Sequence, residues 1–456
     1  MARTPAPGRS PAAGELWRDP AGPCVDPPPA GAAQSACSFA GPEGSAAQAQ
    51  RSANYELRAA PGQYLADLPG GAAGSLRGSE SSPEERADPF AEAAQQARFG
   101  LSRGGLAIGG GYSTIEGPNA HASLTRSHFP GLGQEMSIYA GISRIRRAAS
   151  VNFASARTFG DDMRFSSALF AVQDRAVGFA DRFRTAPFRQ TSFGVKMALQ
   201  KELGPVALGL GLHWSRDEFR LRTGGACAAE LLGSLVCRET GVRPRTVVTA
   251  SADFDRRDSK SAPTKGYRIR MAHDITLPTG PYRYLRSQIG AEGYILYGDE
   301  WTIAVSGEAG GIWALGGRTA PLFDRFYLGG SSLRGFDLRG ISPRLVPSAE
   351  EGARVAVGGD RYYSARVELA GRLGGADAQG LQPSLFVDAG SAWGVKQALD
   401  TDEQLLGNSR KPRVSIGAGL RWMTPAGVVR FDIAMPVIKQ PGDRRQLFTL
   451  SVGQTI

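Results

Sequence analysis

The sequence predicts an all-β protein, a 16-stranded antiparallel transmembrane β-barrel with a disordered N-terminal extension. Apolar and polar residues alternate in runs from Gly104 to the end of the chain, as they do in strands with two unlike faces. The alternating runs number 16, and single-chain bacterial barrels have an even number of strands. The connections between the runs are mostly long at one end of the barrel and short at the other, which is typical of such barrels.

Residues 1–99 differ in composition from the rest of the 456-residue chain. Ala, Pro, Gly and Ser dominate this segment, and large apolar side chains are few. Such a segment cannot bury enough apolar surface to offset its ordering entropy. We therefore expect residues 1–99 to be a disordered, low-complexity extension and residues 100–456 to form the barrel domain. One short helix, from Ser82 to Phe99, is compatible with the pattern, and no apolar export-signal segment is visible near Met1.

The two faces of the runs indicate lipid outside the barrel and a polar lumen inside. Between Val414 and Trp422, for example, apolar residues alternate with Ser, Gly and Arg, and a polar face of this kind suits a lumen. The chain has no run of about eighteen apolar residues, which excludes a helical membrane span. A soluble sandwich that binds lipid or nucleic acid would use the formal net charge of +10, but it would not account for the unequal connections.

The predicted strands are, in chain order, 104–114, 118–128, 133–145, 148–157, 162–175, 188–202, 205–221, 242–255, 265–277, 283–297, 300–313, 354–372, 382–391, 412–423, 427–437 and 446–455. The connections that we place outside the cell include 176–187, 222–241, 314–353, 392–411 and 438–445. The periplasmic turns include 129–132, 158–161, 203–204, 298–299 and 424–426, with 256–264 as a turn of moderate length.

The longest connection, 314–353, contains the stretch around which we expect the barrel to be organised. Glycines punctuate it, and its centre reads Leu333, Arg334, Gly335 and Phe336. Connections of this length inside a compact domain are uncommon, and they are usually functional or disordered. We interpret this one as a functional loop that folds into the lumen.

Six motifs in order along the barrel carry a resemblance to a known family. They are Gly109–Thr114, Phe254–Asp258 with Pro263 and Gly266–Tyr267, Leu328–Phe336, Gly358–Asp360 with Tyr362–Tyr363, Phe386–Gly390, and Gly417–Trp422. Residues 104–456 resemble the barrel of the outer-membrane protein assembly-factor superfamily, which includes BamA-type and TamA-type proteins and the two-partner secretion transporters. The resemblance covers the barrel alone, because residues 1–99 show no patterning of the periplasmic POTRA modules that the family normally carries.

The resemblance implies that the long loop is latched to the inner wall. In the family an Arg-Gly-aromatic loop tip contacts the wall, and the matching tip here is Leu333–Phe336. The wall partners match Glu368 and Asp388 by position. The alternation agrees, because Glu368 shares the polar face of its run with Arg366, and Asp388 lies opposite the apolar Val387. A solvated loop position for Arg334 is the competing reading.

The first and last strands are expected to close the barrel along a weak seam. Gly109, Gly110 and Gly111 on the first strand offer little side-chain packing, and the last strand contributes Phe448, Leu450 and Val452. Weak pairing would let the seam open and present backbone groups that template an incoming strand. The competing reading is that these glycines only relieve crowding inside a curved sheet.

Cysteine and histidine offer little material for other chemistry. Cys227 and Cys237 flank a loop-like stretch and form either a disulfide or two unrelated thiols. The sequence predicts no metal site and no cofactor. The four histidines, His121, His128, His213 and His273, lie in no recurring nucleophile motif, so an outer-membrane barrel enzyme is a remote alternative.

The resemblance therefore implies a non-enzymatic insertase of the bacterial outer membrane, even though no signal peptide is visible. Its expected partners are membrane lipid, unfolded outer-membrane protein clients and accessory assembly proteins, with no nucleic acid. A polypeptide-secreting transporter of the two-partner type is the alternative, because it shares the loop motif.

Overall fold

The computed structural model describes residues 104–455, apart from residues 115, 128–133, 156–162, 181–182, 222–226, 261–262, 299, 318–319, 350–351, 353, 372–379, 397–401 and 425–426. The predicted disorder of residues 1–99, the helix at Ser82–Phe99 and His128 lie outside the described residues. Among the described residues, no helix combines the length and the hydropathy that a membrane crossing requires.

In the described part of the chain, sixteen strands form a closed antiparallel barrel in which each barrel strand pairs with the next barrel strand and the last pairs with the first. This confirms the predicted fold class. The barrel strands are β1 (Gly104–Ser113), β2 (Gly117–Ser127), β3 (Gln134–Ser143), β4 (Arg146–Ser155), β5 (Met163–Ala180), β6 (Phe183–Leu203), β7 (Val206–Leu221), β8 (Gly241–Asp255), β9 (Gly266–Thr276), β10 (Tyr284–Tyr297), β11 (Trp301–Ala314), β15 (Arg361–Gly371), β16 (Leu381–Trp393), β18 (Arg413–Thr424), β19 (Gly427–Ile438) and β21 (Phe448–Thr455).

The shorter elements lie in the long connections at one end of the barrel, which we call the outer end. They are the helices α1 (Ala229–Leu232) and α2 (Ser234–Cys237), a 3-10 turn (Leu322–Asp324), and the short strands β12 (Gly335–Phe336), β13 (Arg344–Val346), β14 (Val355–Ala356), β17 (Gln404–Leu406) and β20 (Arg445–Gln446).

Two predicted boundaries are wrong. Residues 176–187 were expected to form a loop, whereas β5 and β6 continue through most of them as a hairpin that rises above the neighbouring strands. The strand predicted from residue 354 begins only at Arg361. Gly358 has a φ of 71°, a left-handed conformation that interrupts a strand, and the preceding β14 pairs with β13 instead of the barrel wall.

The outward face of the wall is apolar, as a barrel in lipid requires. On β16, Leu385 and Val387 are 60% and 46% exposed, while Asp388, the residue after Val387, is 1% exposed. The same alternation exposes large apolar side chains on the other strands described. The apolar atoms therefore face lipid, and the polar side chains face the lumen.

Most of the buried apolar residues in the described part of the chain form two clusters, and both involve the long loop between β11 and β15. The first lies beneath the outer end and joins Phe188 and Phe219 of the wall to Leu235, Val236 and Phe323. The second surrounds Leu333 and Phe336. The loop thus supplies much of the core, and it fills space that the wall alone would leave open.

Candidate functional site: the lumen loop and the seam

Arg334 reaches the inner wall at Asp388 on β16. Its backbone N–H donates to Asp388 Oδ2 at 3.0 Å, and its side chain donates from Nε to Oδ2 at 2.9 Å and from Nη2 to Oδ1 at 2.8 Å. The side chain of Arg334 is 3% exposed and that of Asp388 is 1% exposed. A bidentate, charge-assisted pair of this kind fixes the position and the orientation of the guanidinium.

A second carboxylate lies on the neighbouring strand. Glu368 Oε2 on β15 is 2.9 Å from Arg334 Nη1, although this contact lacks the alignment of a hydrogen bond. Asp432 on β19 is a more distant neighbour, with Oδ1 3.9 Å from Nη1. Both predicted wall partners therefore lie beside the predicted loop tip, one by hydrogen bonds and one by charge.

Further arginines of the inner wall lie beside these carboxylates. Arg366 on β15 donates from Nε to Asp388 Oδ1 at 3.0 Å, and Arg430 donates from Nε to Asp432 Oδ2 at 2.8 Å. Arg421 of β18 also interacts electrostatically with Glu368, Asp432 and Arg430. Four arginines thus surround three carboxylates on the inner wall. Alternating charges offset the cost of burying each one, provided that none of them loses its partner.

Burial by itself lowers the pKa of Arg334. The hydrogen bonds to Asp388 and the negative charges of Asp388, Glu368 and Asp432 more than offset that effect, so the pKa is raised above its ordinary value. The guanidinium therefore stays charged in the lumen.

The aromatic ring of Phe386 packs against the guanidinium of Arg334. The Arg334 Cζ lies 3.2 Å from the centroid of the Phe386 ring, and Phe386 points inward from the same face of β16 as Asp388. Gly417 lies opposite Phe386 in the sheet. A Cβ at Gly417 would approach Phe386 Cζ to 2.4 Å, so the absence of a side chain there leaves room for the ring.

The residues that flank Arg334 hold the tip in its turn. Gly335 has a φ of 86°, which favours glycine, and a Cβ there would lie 3.2 Å from the Ser415 Cβ. Ser415 Oγ donates to the Arg334 carbonyl at 2.6 Å. Leu333 and Phe336 are buried in the second apolar cluster. The four predicted loop residues therefore combine one charged anchor with two apolar ones.

The prediction does not include three of the contacts of Arg334: Phe386, Ser415 and Asp432. For Asp432 the alternation of β19 carries a signal, because Asp432 and Arg430 share the polar face of that strand. Phe386 breaks the rule that apolar residues face lipid, since it points into the lumen. The outward positions of Leu385 and Val387 on either side place Phe386 on the inward face, where it packs against Arg334.

The seam between β1 and β21 is short. Five residue pairs join the two strands, from Gly109 opposite Thr455 to Ser113 opposite Ser451, whereas ten pairs join β1 to β2. Within the described residues, Gly104–Ile108 have no partner on β21. Among the described residues, the seam is therefore half as long as the pairing of β1 with β2.

The predicted seam residues occupy different places along this closure. Gly109, Gly110 and Gly111 pair with Thr455, Gln454 and Gly453, and Val452 pairs with Tyr112. The Leu450 carbonyl accepts a hydrogen bond from Thr114 N at 3.1 Å. Phe448 lies above the paired stretch, and its register partner is Ile433 of β19.

The described part of the connection between β7 and β8 packs at the outer end. Cys227 and Cys237 form a disulfide across α1 and α2. Ser234 donates from its backbone N–H to Glu403 Oε1 and from Oγ to Oε2, both at 2.6 Å. We call residues 227–240 the cap, because Leu235 and Val236 in it pack onto the first apolar cluster.

The described histidines lie on the wall. His213 on β7 is buried against Phe170, with ring centroids 5.3 Å apart, and His121 stacks on Tyr139 at 6.4 Å. His273 Nδ1 lies 2.9 Å from Ser287 Oγ on the lipid-facing surface, where each group gives the other a hydrogen-bond partner. Within the described ranges, no group of three His, Cys, Asp or Glu residues is arranged to hold a metal ion.

Comparison with known proteins places this geometry in a family. Residues 129–456 match the Omp85 superfamily domain. The outer membrane protein assembly factor BamA of Neisseria meningitidis serogroup B is 31% identical over 218 residues, which are 43% of this chain and 27% of that protein. The sorting and assembly machinery component 50 homolog B of Xenopus laevis is 22% identical over 342 residues, or 74% of this chain and 70% of that protein.

Among solved structures, BamA from Haemophilus ducreyi lacking POTRA domains 1–3 has the same fold. The TM-score is 0.66 at 22% sequence identity, with 78% of this chain and 70% of that one covered. The aligned part of the chain spans about a quarter of the length of the Neisseria relative, of which 27% is covered.

Proposed function

Because the chain belongs to the Omp85 superfamily, we propose that its barrel inserts other β-barrel proteins into the bacterial outer membrane through the seam between β1 and β21. The relatives named as assembly factors support this proposal. The observation that carries it is the short seam, in which five residue pairs join β1 to β21 within the described residues, whereas ten join β1 to β2.

The edge of β1 would have the chemistry of a template once the seam opens. A strand edge offers a row of backbone N–H and C=O groups, and an extended client segment can pair with them by β-augmentation. Leu106 and Ile108 point to the lipid side of this edge. A client strand with apolar residues at alternate positions would therefore continue the lipid-facing surface as it is added.

Opening of the seam would expose the template. Five residue pairs have to separate, and β1 contributes three glycines to them, so little side-chain packing is lost with the backbone hydrogen bonds. The docked loop would meanwhile hold β15, β16, β18 and β19 together through Arg334 and its partners. Opening would then be confined to the seam.

The proposed partners follow from this mechanism. They are the lipid that surrounds the wall, unfolded outer-membrane proteins, and accessory assembly proteins that deliver them. The lumen favours insertion over secretion, because the loop and the second apolar cluster occupy it in this state. A transporter of the two-partner type would have to move this loop before a polypeptide could pass.

A reversible cross-link across the seam tests the proposal. Ser113 and Ser451 face each other across the seam. The neighbouring pair, Thr114 and Leu450, is hydrogen-bonded through Thr114 N and the Leu450 carbonyl. Hydrogen-bonded and non-hydrogen-bonded pairs alternate in an antiparallel ladder, so Ser113 and Ser451 form a closely spaced non-hydrogen-bonded pair. A double variant, Ser113→Cys with Ser451→Cys, reconstituted in vesicles, is expected to lose client insertion when oxidised and to regain it with a reductant.

The matched control is Ala140→Cys with Ala149→Cys, which face each other across β3 and β4. Its oxidation should leave insertion unchanged, because that pair of strands does not open in the proposed mechanism. Full insertion by a protein whose seam is quantitatively cross-linked would refute the proposal.

A further inference from the structure

We propose that Gln446 couples the docked loop to the seam, so that release of Arg334 from the wall loosens the outer end of the pairing between β1 and β21. The coupling regulates the opening on which the proposed function rests. Gln446 acts as a positioning residue, since it holds β1 through Thr114 and does not itself belong to the paired seam.

The loop tip is paired with the segment that leads into the last strand. In the two-stranded sheet of β12 and β20, Gly335 lies opposite Gln446 and Phe336 lies opposite Arg445. One residue further along, Asp337 N donates to the Arg444 carbonyl at 3.0 Å. The residue next to Arg334 is therefore bound through its backbone to the chain just before β21.

The side chain of Gln446 continues this connection to the first strand. Its Nε2 donates to Thr114 Oγ1 at 2.9 Å, immediately beyond the end of β1. Leu450 N approaches the same Oγ1 at 3.4 Å, and Thr114 N donates to the Leu450 carbonyl at 3.1 Å. Thr114 is thus hydrogen-bonded both to Gln446, in the segment bound to the loop, and to Leu450 of β21.

The paired register of the wall ends below this height. The register between β19 and β21 ends with Ile433 opposite Phe448, and above it Ala434 N donates to the Leu447 carbonyl at 2.8 Å. From there the chain turns inward to pair with the loop tip. The upper end of the last strand is consequently held by the loop as well as by its neighbours in the wall.

These contacts form a short path between two sites. It runs from Arg334 to Gly335, across the backbone pairing to Gln446, and through its amide to Thr114. When Arg334 leaves Asp388, Gly335 loses the charged one of its anchors, and the pairing with Gln446 is held less rigidly. The hydrogen bond to Thr114 then fails, and the outer end of the seam frays.

Hydrogen exchange at the seam measures this coupling without any client. The readout is the exchange rate of the amides in Gly109–Thr114 of the reconstituted chain. Gln446→Ala and Thr114→Val should each raise that rate about fivefold, the effect of one hydrogen bond's net contribution, and Thr114→Ser should restore the original rate. Gln288→Ala is the matched control, because its Nε2 donates to Tyr362 Oη at 3.1 Å elsewhere in the lumen.

The decisive comparison is a double-variant cycle with the loop anchor. Arg334→Ala should speed seam exchange in the presence of Gln446, and it should add almost nothing in a Gln446→Ala protein, because the path is already cut. Glu368→Gln replaces Arg334→Ala if that variant does not fold, since it weakens the docking without removing the guanidinium.

Two results would overturn the coupling. One is unchanged seam exchange after the loop has been released, which would make Gln446 a local support for Thr114. The other is multiplication of the two increases in the double variant, which would make the effects independent. Because exchange is measured without insertion, loss of coupling and loss of the proposed function are distinguished.

Discussion

Arg334 and Phe386 are stacked, with the guanidinium carbon 3.2 Å from the ring centroid. Asp388, two residues after Phe386 on the same inward face of β16, holds the edge of that guanidinium. The strand thus presents a flat apolar surface and a carboxylate at the spacing of one side-chain period. This arrangement recognises a planar cation better than the point charge of a lysine.

Removal of the guanidinium should destabilise the whole barrel. Arg334→Ala leaves Asp388 buried beside Arg366 with a lost partner, and we expect the free energy of unfolding to fall by roughly 3–5 kcal/mol. Urea unfolding in lipid vesicles, followed by tryptophan fluorescence, measures it. Arg410→Ala, at an exposed arginine, is the control, and a loss below about 1 kcal/mol for Arg334→Ala would show that the lumen screens the pair as water does.

Arg334→Lys separates charge from shape. A lysine keeps the positive charge but cannot donate in the two-pronged geometry or stack on Phe386. We expect it to recover less than half of the stability lost in Arg334→Ala, in the same unfolding experiment. Full recovery would mean that charge alone holds the loop.

A methyl group at Gly417 should disturb the docking of Arg334, because it would crowd the Phe386 ring on which the guanidinium stacks. The added Cβ would lie 2.3 Å from the Ile433 carbonyl oxygen and 2.4 Å from Phe386 Cζ. We expect Gly417→Ala to cost about 1–3 kcal/mol, as overpacking does, and to make the loop around Arg334 more accessible to protease. Gly293→Ala is the control, because its Cβ would meet no atom within 4 Å; equal stability of the two variants would contradict the crowding.

The sequence predicts the wall better than the loop for a physical reason. Alternation on a strand fixes the face of every residue, so the inward positions of Glu368 and Asp388 follow from their neighbours. Phe386 and Gly417 lie on different strands, and their fit depends on how those strands are placed beside each other. Alternation along one strand therefore assigns Phe386 no partner. The path from the loop to Thr114 depends on β12 and β20, which are two residues each and too short to leave a periodic pattern.

The cap should depend on Glu403. Both oxygens of this carboxylate accept hydrogen bonds from Ser234, and bonds to a charged group contribute about 1.5–3 kcal/mol each. Glu403→Ala is expected to raise amide exchange in α2 at least about tenfold. Glu230→Ala, at an exposed residue of the same cap, should leave that exchange unchanged. Equal rates in the two variants would show that the disulfide alone holds the cap.

The turn between β8 and β9 should loosen in acid. Slight burial raises the pKa of Asp258, but hydrogen bonds from Thr264, Lys265 and Ser259 outweigh it and lower the pKa to about 2 from 3.8. A depressed folded pKa contributes stability that is present above pH 3.8 and is lost as pH falls through about 2. Amide exchange of the turn, corrected for the intrinsic rate, should therefore rise across this window.

The matched variant for the turn is Asp258→Asn, which cannot titrate. Its corrected exchange should already be fast at neutral pH and nearly independent of pH between 4 and 2, the range about the two pKa values. Parallel curves for the two proteins would assign the acid response to other groups.

Closure of the barrel joins residues that are far apart in the chain. Thr114 and Leu450, which meet at the end of the seam, are 336 positions apart. Contacts of such separation form late, because the intervening chain has to be ordered first. Until the final strand arrives, β1 has a bare edge along its whole length, and so does β19. The proposed function is to pair with the open strand edges of other barrel proteins. During its own folding, this protein must therefore expose unpaired strand edges of the same kind.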